Sequence, residues 1–279
     1  KEKKLIYDKD GATWYKATAS GGKQDKVYIK STGEPTYRLP DTAYHKDKIN
    51  RGFDLIIDVF GADHADTYPD VLSALNSLGI KTDHIKILLY QFVTLIRGGE
   101  KVKMSTRKAE FVTLDDLMNE LGIDIVRYFF IMRSMNSHLD FDLDLAKDQS
   151  ENNPVFYLQY AHARICSVFR EMKEKGYSFI KSEKLSDLHV LSEPHEIKLL
   201  TSLARYPDVI ENAAINFEPH QLAYYLKELA NDFHTYYNAN KFLVDDDIIR
   251  NARLSLIDAT KQVIKNGLFQ LGVSSPQEM

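Results

Sequence analysis

Cysteine is nearly absent: 279 residues carry one, Cys166. A single thiol excludes an internal disulfide and a thiolate metal set, and it suits a reducing, cytoplasmic setting. Long apolar runs are missing too. "DLIIDVF" and "HIKILLYQFVTLI" are interrupted by polar residues and fall short of the roughly 20 apolar residues a membrane helix needs, so no membrane partner is expected. The opening "KEKKLIYDKDG" turns polar before an apolar run develops, unlike a signal peptide. Strong charge of one sign is lacking as well. A net charge of −4 gives no overall field for nucleic acid, so any such partner must meet a local patch. Neither a complete G-x-G-x-x-G nor a P-loop lysine motif occurs, which takes support from the common dinucleotide and NTPase readings.

What is present divides near residue 150. Before it, "KVYIK", "STGEPTY", "DLIIDVFGAD" and "HIKILLYQFVTLIRGG" alternate β-rich runs with Gly and Pro punctuation. The apolar runs at 55–60 and 85–96 fit strands buried on both faces, with "PDVLSALNSLGI" as the crossover helix of a parallel pair. This half reads as α/β. After residue 150 the period becomes helical. Apolar stripes fall at Val155, Leu158, Ile165, Val168 and Met172, at Leu222, Leu226, Leu229 and Phe233, and at Ile249, Ala252, Leu256, Ala259 and Val263. Asn153 suits the cap of the first helix and Pro154 its first turn. The second half reads as an all-α bundle.

Three segments offer chemistry. "RGGEKVKMSTRKAEF", residues 97–111, follows an apolar strand with a Gly pair, five basic residues and a serine. Lys103, Arg107 and Lys108 could neutralise a leaving pyrophosphate, and Ser105 could add a donor, although such a loop also occurs as an ordinary solvated turn. In "IDVFGADHADTY", Gly61 at a strand end permits close approach of a ligand, and Asp63 could accept from a ribose diol or simply cap the next helix. In "GEPTYRLPDTAYHKDK", Tyr37 and Asp41 stand four apart, and Asp41 could face a cationic substrate or cap a helix.

Taken in order, "YIKSTGEPTYRLPDTAYHKDKINRGFD", "DVFGADH", "RGGEKVKMSTRKAEFVTLDDLMNELGIDIVRYFF", "NPVFYLQYAHARI" and "LIDATKQVIKNGLFQLGVSSPQEM" resemble class I arginyl-tRNA synthetases across essentially the whole chain. The resemblance implies the second half of a Rossmann-like catalytic domain over 1–150 and a helical anticodon-binding domain over 151–279. It implies ATP-dependent activation of L-arginine, with Mg2+ accompanying ATP, no tightly bound cofactor and no metal site, and then transfer to the 3′ end of tRNA(Arg) by a cytoplasmic protein expected as a monomer. Lys103, Met104 and Ser105 match the first three positions of the family's signature loop. Its fourth, often lysine in class I enzymes, is Thr106 here, so Arg107, Lys108 or a lysine outside this chain would substitute.

By the same resemblance Lys103 and Ser105 are the catalytic candidates. Gly61, Asp63 and His64 line the adenosine pocket beside the signature loop. Tyr37 and Asp41 contact the substrate arginine, and Asp63 lies where some relatives place a glutamine near it. Tyr157, Tyr160, Arg164 and Tyr237 match positions that cradle the anticodon loop, where aromatic planes suit splayed bases and a core aromatic stripe is the plainer alternative. Met279 matches the methionine with which family members characteristically end, which implies a native carboxyl terminus packed near the anticodon. The His-x-Gly-His-like element of class I synthetases does not occur, nor does the amino-terminal tRNA-reading domain. A carboxyl-terminal portion is therefore expected, inactive on its own. A non-catalytic tRNA-binding module and an unrelated nucleotidyl transferase are the competing readings.

Overall fold

Helix and strand alternate over residues 38–90 as the punctuation predicts, and in the computed structural model they close a parallel pair. Residues 4–102, 112–181 and 188–279 are described. The chain forms two compact units, one of Lys1–Phe92 with Met135–Ser137 and the other of Val93–Ser134 with His138–Met279. Residue 150 lies within the second, in the turn that precedes its long helices.

The first unit opens with an antiparallel meander of β1 (Ile6–Lys9), β2 (Ala12–Tyr15) and β3 (Lys26–Ile29). Helix α1 (Arg38–Asn50) then leads into β4 (Ile56–Gly61), α2 (Tyr68–Ser77) and β5 (Ile85–Tyr90), and β4 and β5 pair in parallel with Gly61 opposite Tyr90. The crossover helix is where the sequence put it. Burial on both faces, however, fails for β4. Ile56 is buried, whereas Ile57 is 45% and Val59 62% exposed. A strand alternates its faces, so Asp58 shares the covered side, where His45 Nε2 of α1 meets its Oδ2 at 2.9 Å and Lys48 meets its other oxygen. Helix α1 covers one side of the strand and leaves Ile57 and Val59 bare. The apolar run at 85–96 is also not one strand. It breaks after Tyr90, and Gln91 N–H donates to Met135 O at 3.0 Å.

In the second unit β6 (Val93–Arg97) pairs with β7 (Glu100–Lys101) antiparallel and with β8 (Leu139–Asp142) in parallel. Helices α3 (Leu114–Leu121), α4 (Ile123–Ile131) and α5 (Leu143–Lys147) accompany this sheet. The bundle follows as α6 (Pro154–Glu174), α7 (Pro194–Ala204), α8 (Tyr206–Ile215), α9 (His220–Ala239) and α10 (Asp247–Gln270). Asn153 caps α6, its Oδ1 accepting from Val155 N–H at 3.0 Å, with Pro154 at the first position. The stripes expected on α6 and α9 are buried. On α10 Ala252 and Leu256 of the expected stripe are buried, and the rest of it is not. Ala259 is exposed and Ile249 and Val263 only half-buried, while Leu254, Ile257, Thr260, Ile264 and Leu268 face inward. Helix α10 packs on α6, α7 and α9, so more than one stripe of it is covered. Buried Glu196 joins three helices, accepting from Tyr236 Oη of α9 and Arg253 Nε of α10, each at 2.9 Å.

Helices α9 and α10 pack tightly at Gly267, where an added Cβ would lie 2.6 Å from Leu226 Cδ2 and 3.0 Å from its Cγ. Gly→Ala in a helix interior gains about 1 kcal/mol of propensity, but overpacking a buried contact costs about 1–3 kcal/mol. Because Leu226 is fully buried, it cannot swing aside. Gly267→Ala is therefore expected to lower the urea midpoint of unfolding, whereas a raised midpoint would show that α9 and α10 tolerate wider spacing.

Candidate functional site

The first set of candidate residues gathers at the carboxyl end of β4. Gly61 ends the strand, and a single turn of 3-10 helix, Ala62–His64, follows. Asp63 does not cap α2, whose cap position is Thr67. Its carboxylate instead folds back on Gly61, where a Cβ would meet Asp63 Oδ1 at 2.5 Å, so glycine leaves room for that return. His64 stacks on Phe60 with ring centroids 5.1 Å apart, and its carbonyl accepts from the Thr67 hydroxyl at 3.0 Å. Both polar side chains are half exposed or more. This is the position, beyond the carboxyl ends of parallel strands, where open α/β sheets hold ligands.

Helix α1 brings the next pair. Asp41 lies in its first turn and Tyr37 at its cap position, without a capping side-chain bond. The helix-cap alternative for Asp41 therefore falls, although a carboxylate in a first turn still complements the helix dipole. Thr42 and His45 are buried, so Tyr37 and Asp41, one turn apart, occupy the outer face, with Tyr37 90% exposed. Two contacts tie the helix to β4, His45 Nε2 and Lys48 Nζ to Asp58, while His45 Nδ1 donates within the helix to Asp41 O at 2.8 Å. The short link 51–55 joins the end of α1 to the start of β4, so the Asp41 end points toward the carboxyl end of the strand. His45, Asp58 and Lys48 escaped the sequence reading. A lone histidine and aspartate thirteen residues apart give no signal until strand and helix are laid side by side.

The loop that carried most of the phosphate argument, with Lys103, Met104, Ser105, Thr106, Arg107 and Lys108, lies outside the described residues. The turn leading to it is described. Gly98 (φ 59°) and Gly99 (φ 78°) make the tight hairpin between β6 and β7, a backbone that glycine adopts without strain. Gly98 N–H donates to Asp144 Oδ2 at 2.6 Å.

The third set stands on α6 and α9. The Arg164 guanidinium carbon lies 3.9 Å from the Tyr237 ring centroid and 5.1 Å from that of Tyr160. Nη1 of Arg164 donates to His234 Nδ1 at 3.2 Å, and His234 Nε2 lies 3.3 Å from Tyr157 O. The carbonyl can only accept, so the ring proton sits on Nε2 and the Nδ1 lone pair faces Arg164. His234 also contacts the rings of Tyr157 (4.5 Å) and Tyr160 (5.7 Å). Tyr160 is exposed, whereas Tyr157 and Tyr237 are half-buried, and Tyr237 packs on Phe233 and Phe242. The structure thus brings Tyr157, Tyr160, Arg164 and Tyr237 together, and adds His234.

Met279 is not part of that cluster. The tail is tied along α6 by His162 Nδ1 to Pro276 O (2.8 Å), Gln159 Nε2 to Ser274 O (3.1 Å) and Arg170 Nη1 to Gln277 O (3.1 Å). At about 100° per residue these anchors lie on a different flank of α6 from Tyr157, Tyr160 and Arg164. Met279 itself is 53% exposed.

Burial above all pushes His234 down to about 4, helped by the Arg164 charge and opposed by the Tyr157 carbonyl. An unfolded chain has the ordinary value of about 6.5. Between these values the unfolded chain binds more protons, so stability from this group is complete above about pH 6.5 and is lost as pH falls toward about 4. His234→Gln should shrink the loss of urea stability between about pH 7 and about pH 4.5 by roughly 2–3 kcal/mol. His162, also held down by burial, contributes equally to both chains and cancels. An undiminished loss in the variant would place the pH dependence elsewhere.

Comparison with known proteins reaches the helical residues first. The model of the DALR anticodon binding domain family matches residues 158–279. An arginine–tRNA ligase of Thioalkalivibrio sulfidiphilus is 56% identical over 274 residues, covering 98% of this chain and 47% of the relative. The chain thus spans about half the length of the curated relatives it matches. A Campylobacter jejuni structure described as a putative arginyl-tRNA synthetase superposes with a TM-score of 0.86 at 32% identity, covering all of this chain and 60% of that one. The Thermus thermophilus arginyl-tRNA synthetase, at 21% identity, shares the fold with a TM-score of 0.80, over 99% of this chain and 56% of its own. The resemblance read from the sequence holds along the whole chain, and the fold is that of the carboxyl-terminal portion of class I arginyl-tRNA synthetases.

Proposed function

We propose that this chain serves as the carboxyl-terminal portion of an arginine–tRNA ligase, the portion that completes the substrate cleft and carries the anticodon-binding bundle. The observation that carries the reading is the packed set of Tyr157, Tyr160, Arg164 and Tyr237 on α6 and α9, within the segment matched by the anticodon-binding family. Rings and a guanidinium on one helical face suit unpaired bases, each stack being worth about 1–3 kcal/mol. Residues 1–150 supply the Rossmann-like catalytic part and 151–279 the tRNA(Arg)-binding part of a cytoplasmic protein. The bare Ile57 and Val59 side of β4 supports a longer catalytic domain, because parallel sheets are normally covered on both faces. A stand-alone tRNA-binding module is the less favoured reading, since the matched relatives are named as ligases along the whole chain.

In the proposed reaction the arginine carboxylate attacks the α-phosphorus of ATP and pyrophosphate leaves, before the arginyl group passes to the tRNA 3′ end. Asp41 pairs with the substrate guanidinium beside Tyr37, and a carboxylate matches that cation in a bidentate, charge-assisted geometry. Gly61, Asp63 and His64 border the adenosine of ATP, with Asp63 also near the arginine. Lys103, with Met104 and Ser105, holds the pyrophosphate, and Mg2+ accompanies ATP as part of the substrate. Positioning and charge neutralisation then carry most of the catalysis.

Two measurements test the proposal. In the full-length protein Asp41→Asn keeps the shape and removes the charge, and is expected to cost about 2–4 kcal/mol in kcat/KM for arginine. An unchanged kcat/KM would remove Asp41 from the substrate site. The 279-residue chain should bind tRNA(Arg) by titration with affinity that falls as salt rises, because phosphate contacts release counterions. A tRNA whose anticodon lacks the middle cytosine should bind less well, and equal binding of the two would count against an anticodon role.

A further inference from the structure

In chain order, Lys103 falls between two described elements, the β6–β7 hairpin before it and α3 after it, and both are tied to α5. On one side, Gly98 N–H at the hairpin turn donates to Asp144 Oδ2 at 2.6 Å. On the other, Glu120 near the end of α3 takes Lys147 Nζ on Oε1 at 2.6 Å, and Arg97 Nη2 of β6 on both carboxylate oxygens at 2.8 and 3.0 Å. Asp144 and Lys147 stand three apart on α5 and share one face of it. Its other face, Leu143 and Ala146, is fully buried. The start of α5 is fixed as well: Asp142, paired with Ile96 of β6, accepts on Oδ1 from Asp144 N–H at 2.9 Å and Leu145 N–H at 3.1 Å. Helix α5 is therefore a set platform. Helix α3 is equally defined, since Thr113 and Asp116 exchange the two bonds of a capping box and Leu117 and Leu121 are buried.

Stability alone does not account for this arrangement. Arg97, Glu120, Asp144 and Lys147 are all exposed, and exposed ion pairs add little to folding. What one carboxylate shared by cations of two other elements does is restrict position. Those cations hold the Glu120 carboxyl below the usual carboxylate range, Lys147 most of all, so the pairing is fully charged at neutral pH. We propose that Arg97, Glu120, Asp144 and Lys147 form a polar clasp of positioning residues, which fixes the β6–β7 hairpin and α3 on one platform and so sets where Lys103 meets the departing pyrophosphate. The proposal rests on the reading of Lys103 given above and adds what places it. The four residues act through Lys103, not through contact with the substrate. Such placement matters because a cation helps only where charge develops in the transition state, and a displacement of about 1 Å at a reacting group costs on the order of a hundredfold in rate.

The test uses the full-length protein and arginine-dependent exchange of pyrophosphate into ATP, with tRNA(Arg) present. Glu120→Ala and Asp144→Ala, both at exposed positions where folding is not at risk, should each lower kcat about tenfold while KM for arginine and for ATP stays within about twofold. That split marks a contact made only as pyrophosphate leaves. Asp144→Asn, whose side-chain carbonyl still accepts from Gly98 N–H, should recover most of the Asp144→Ala loss. Lys103→Ala supplies the decisive background. There Glu120→Ala should cost no more than about twofold further, because the residue it positions is already gone and the two changes are not additive. If Lys103→Ala lowers kcat but Glu120→Ala and Asp144→Ala leave it unchanged, or lower it by the same factor with and without Lys103, the clasp does not act through Lys103 and the inference is overturned. If Lys103→Ala itself leaves kcat unchanged, the pyrophosphate reading fails and the clasp's role fails with it.

Discussion

Helix α6 has to satisfy three neighbours with one surface, and the rest of the helical unit is arranged around that constraint. Its apolar stripe at Val155, Leu158, Ile165, Val168 and Met172 is buried in the core. A second flank takes the carboxyl-terminal tail through Gln159, His162 and Arg170. A third carries Tyr157, Tyr160 and Arg164 toward α9. Asn153 fixes where the helix starts, and its side-chain amide donates to Ala146 O and Asp148 O, so it ties the helix to the segment before it as well as capping it. Shifting the start by one residue would turn all three flanks by about 100°, which would separate Arg164 from Tyr237 and the tail from its anchors together.

Legibility followed the range of the interactions. The period of the α6 and α9 stripes and the Asn-Pro start of α6 are local, and they were readable. The α10 stripe was readable only in part: Ala252 and Leu256 are buried as expected, but the helix packs on α6, α7 and α9, so Leu254, Ile257 and Ile264 are buried as well. The parallel β4–α2–β5 unit was readable from its apolar runs, but covering of both faces was not, since a run of Ile and Val cannot say how many layers lie above it. Among the candidate site residues, Tyr157, Tyr160 and Arg164 came from the family resemblance, and their i, i+3, i+7 spacing puts them on one helical face. His234 did not announce itself, because its role depends on the lone pair it turns toward a residue 70 positions away.

The two sets of candidate residues are prepared to very different degrees. On α6 and α9 the side chains already hold one another: Arg164 has a ring beneath it and an imidazole at its edge, so little rotamer entropy remains to be lost when a base arrives. At the end of β4 and on the outer face of α1 the polar side chains stand in water. An exposed carboxylate pairs with a cation for about 0–1 kcal/mol, too little to select a guanidinium. The same pair out of water, with bidentate geometry, is worth several-fold more in discrimination.

That contrast sets what each region can do unaided in the proposed synthetase. Stacking needs only a plane and a partner, and it survives in contact with solvent, so under the proposed function the helical surface recognises an unpaired base as it stands. Charge recognition of arginine by Asp41 gains selectivity only when the cleft around it is closed and dry. The residues that fix Asp41 reflect this need. His45, Asp58 and Lys48 form a buried polar knot that anchors α1 to β4, and burying such charges costs free energy unless they satisfy one another. What the knot provides is position. It anchors α1 to β4, and under the proposed function that anchor steadies the helix whose first turn carries Asp41 to the substrate.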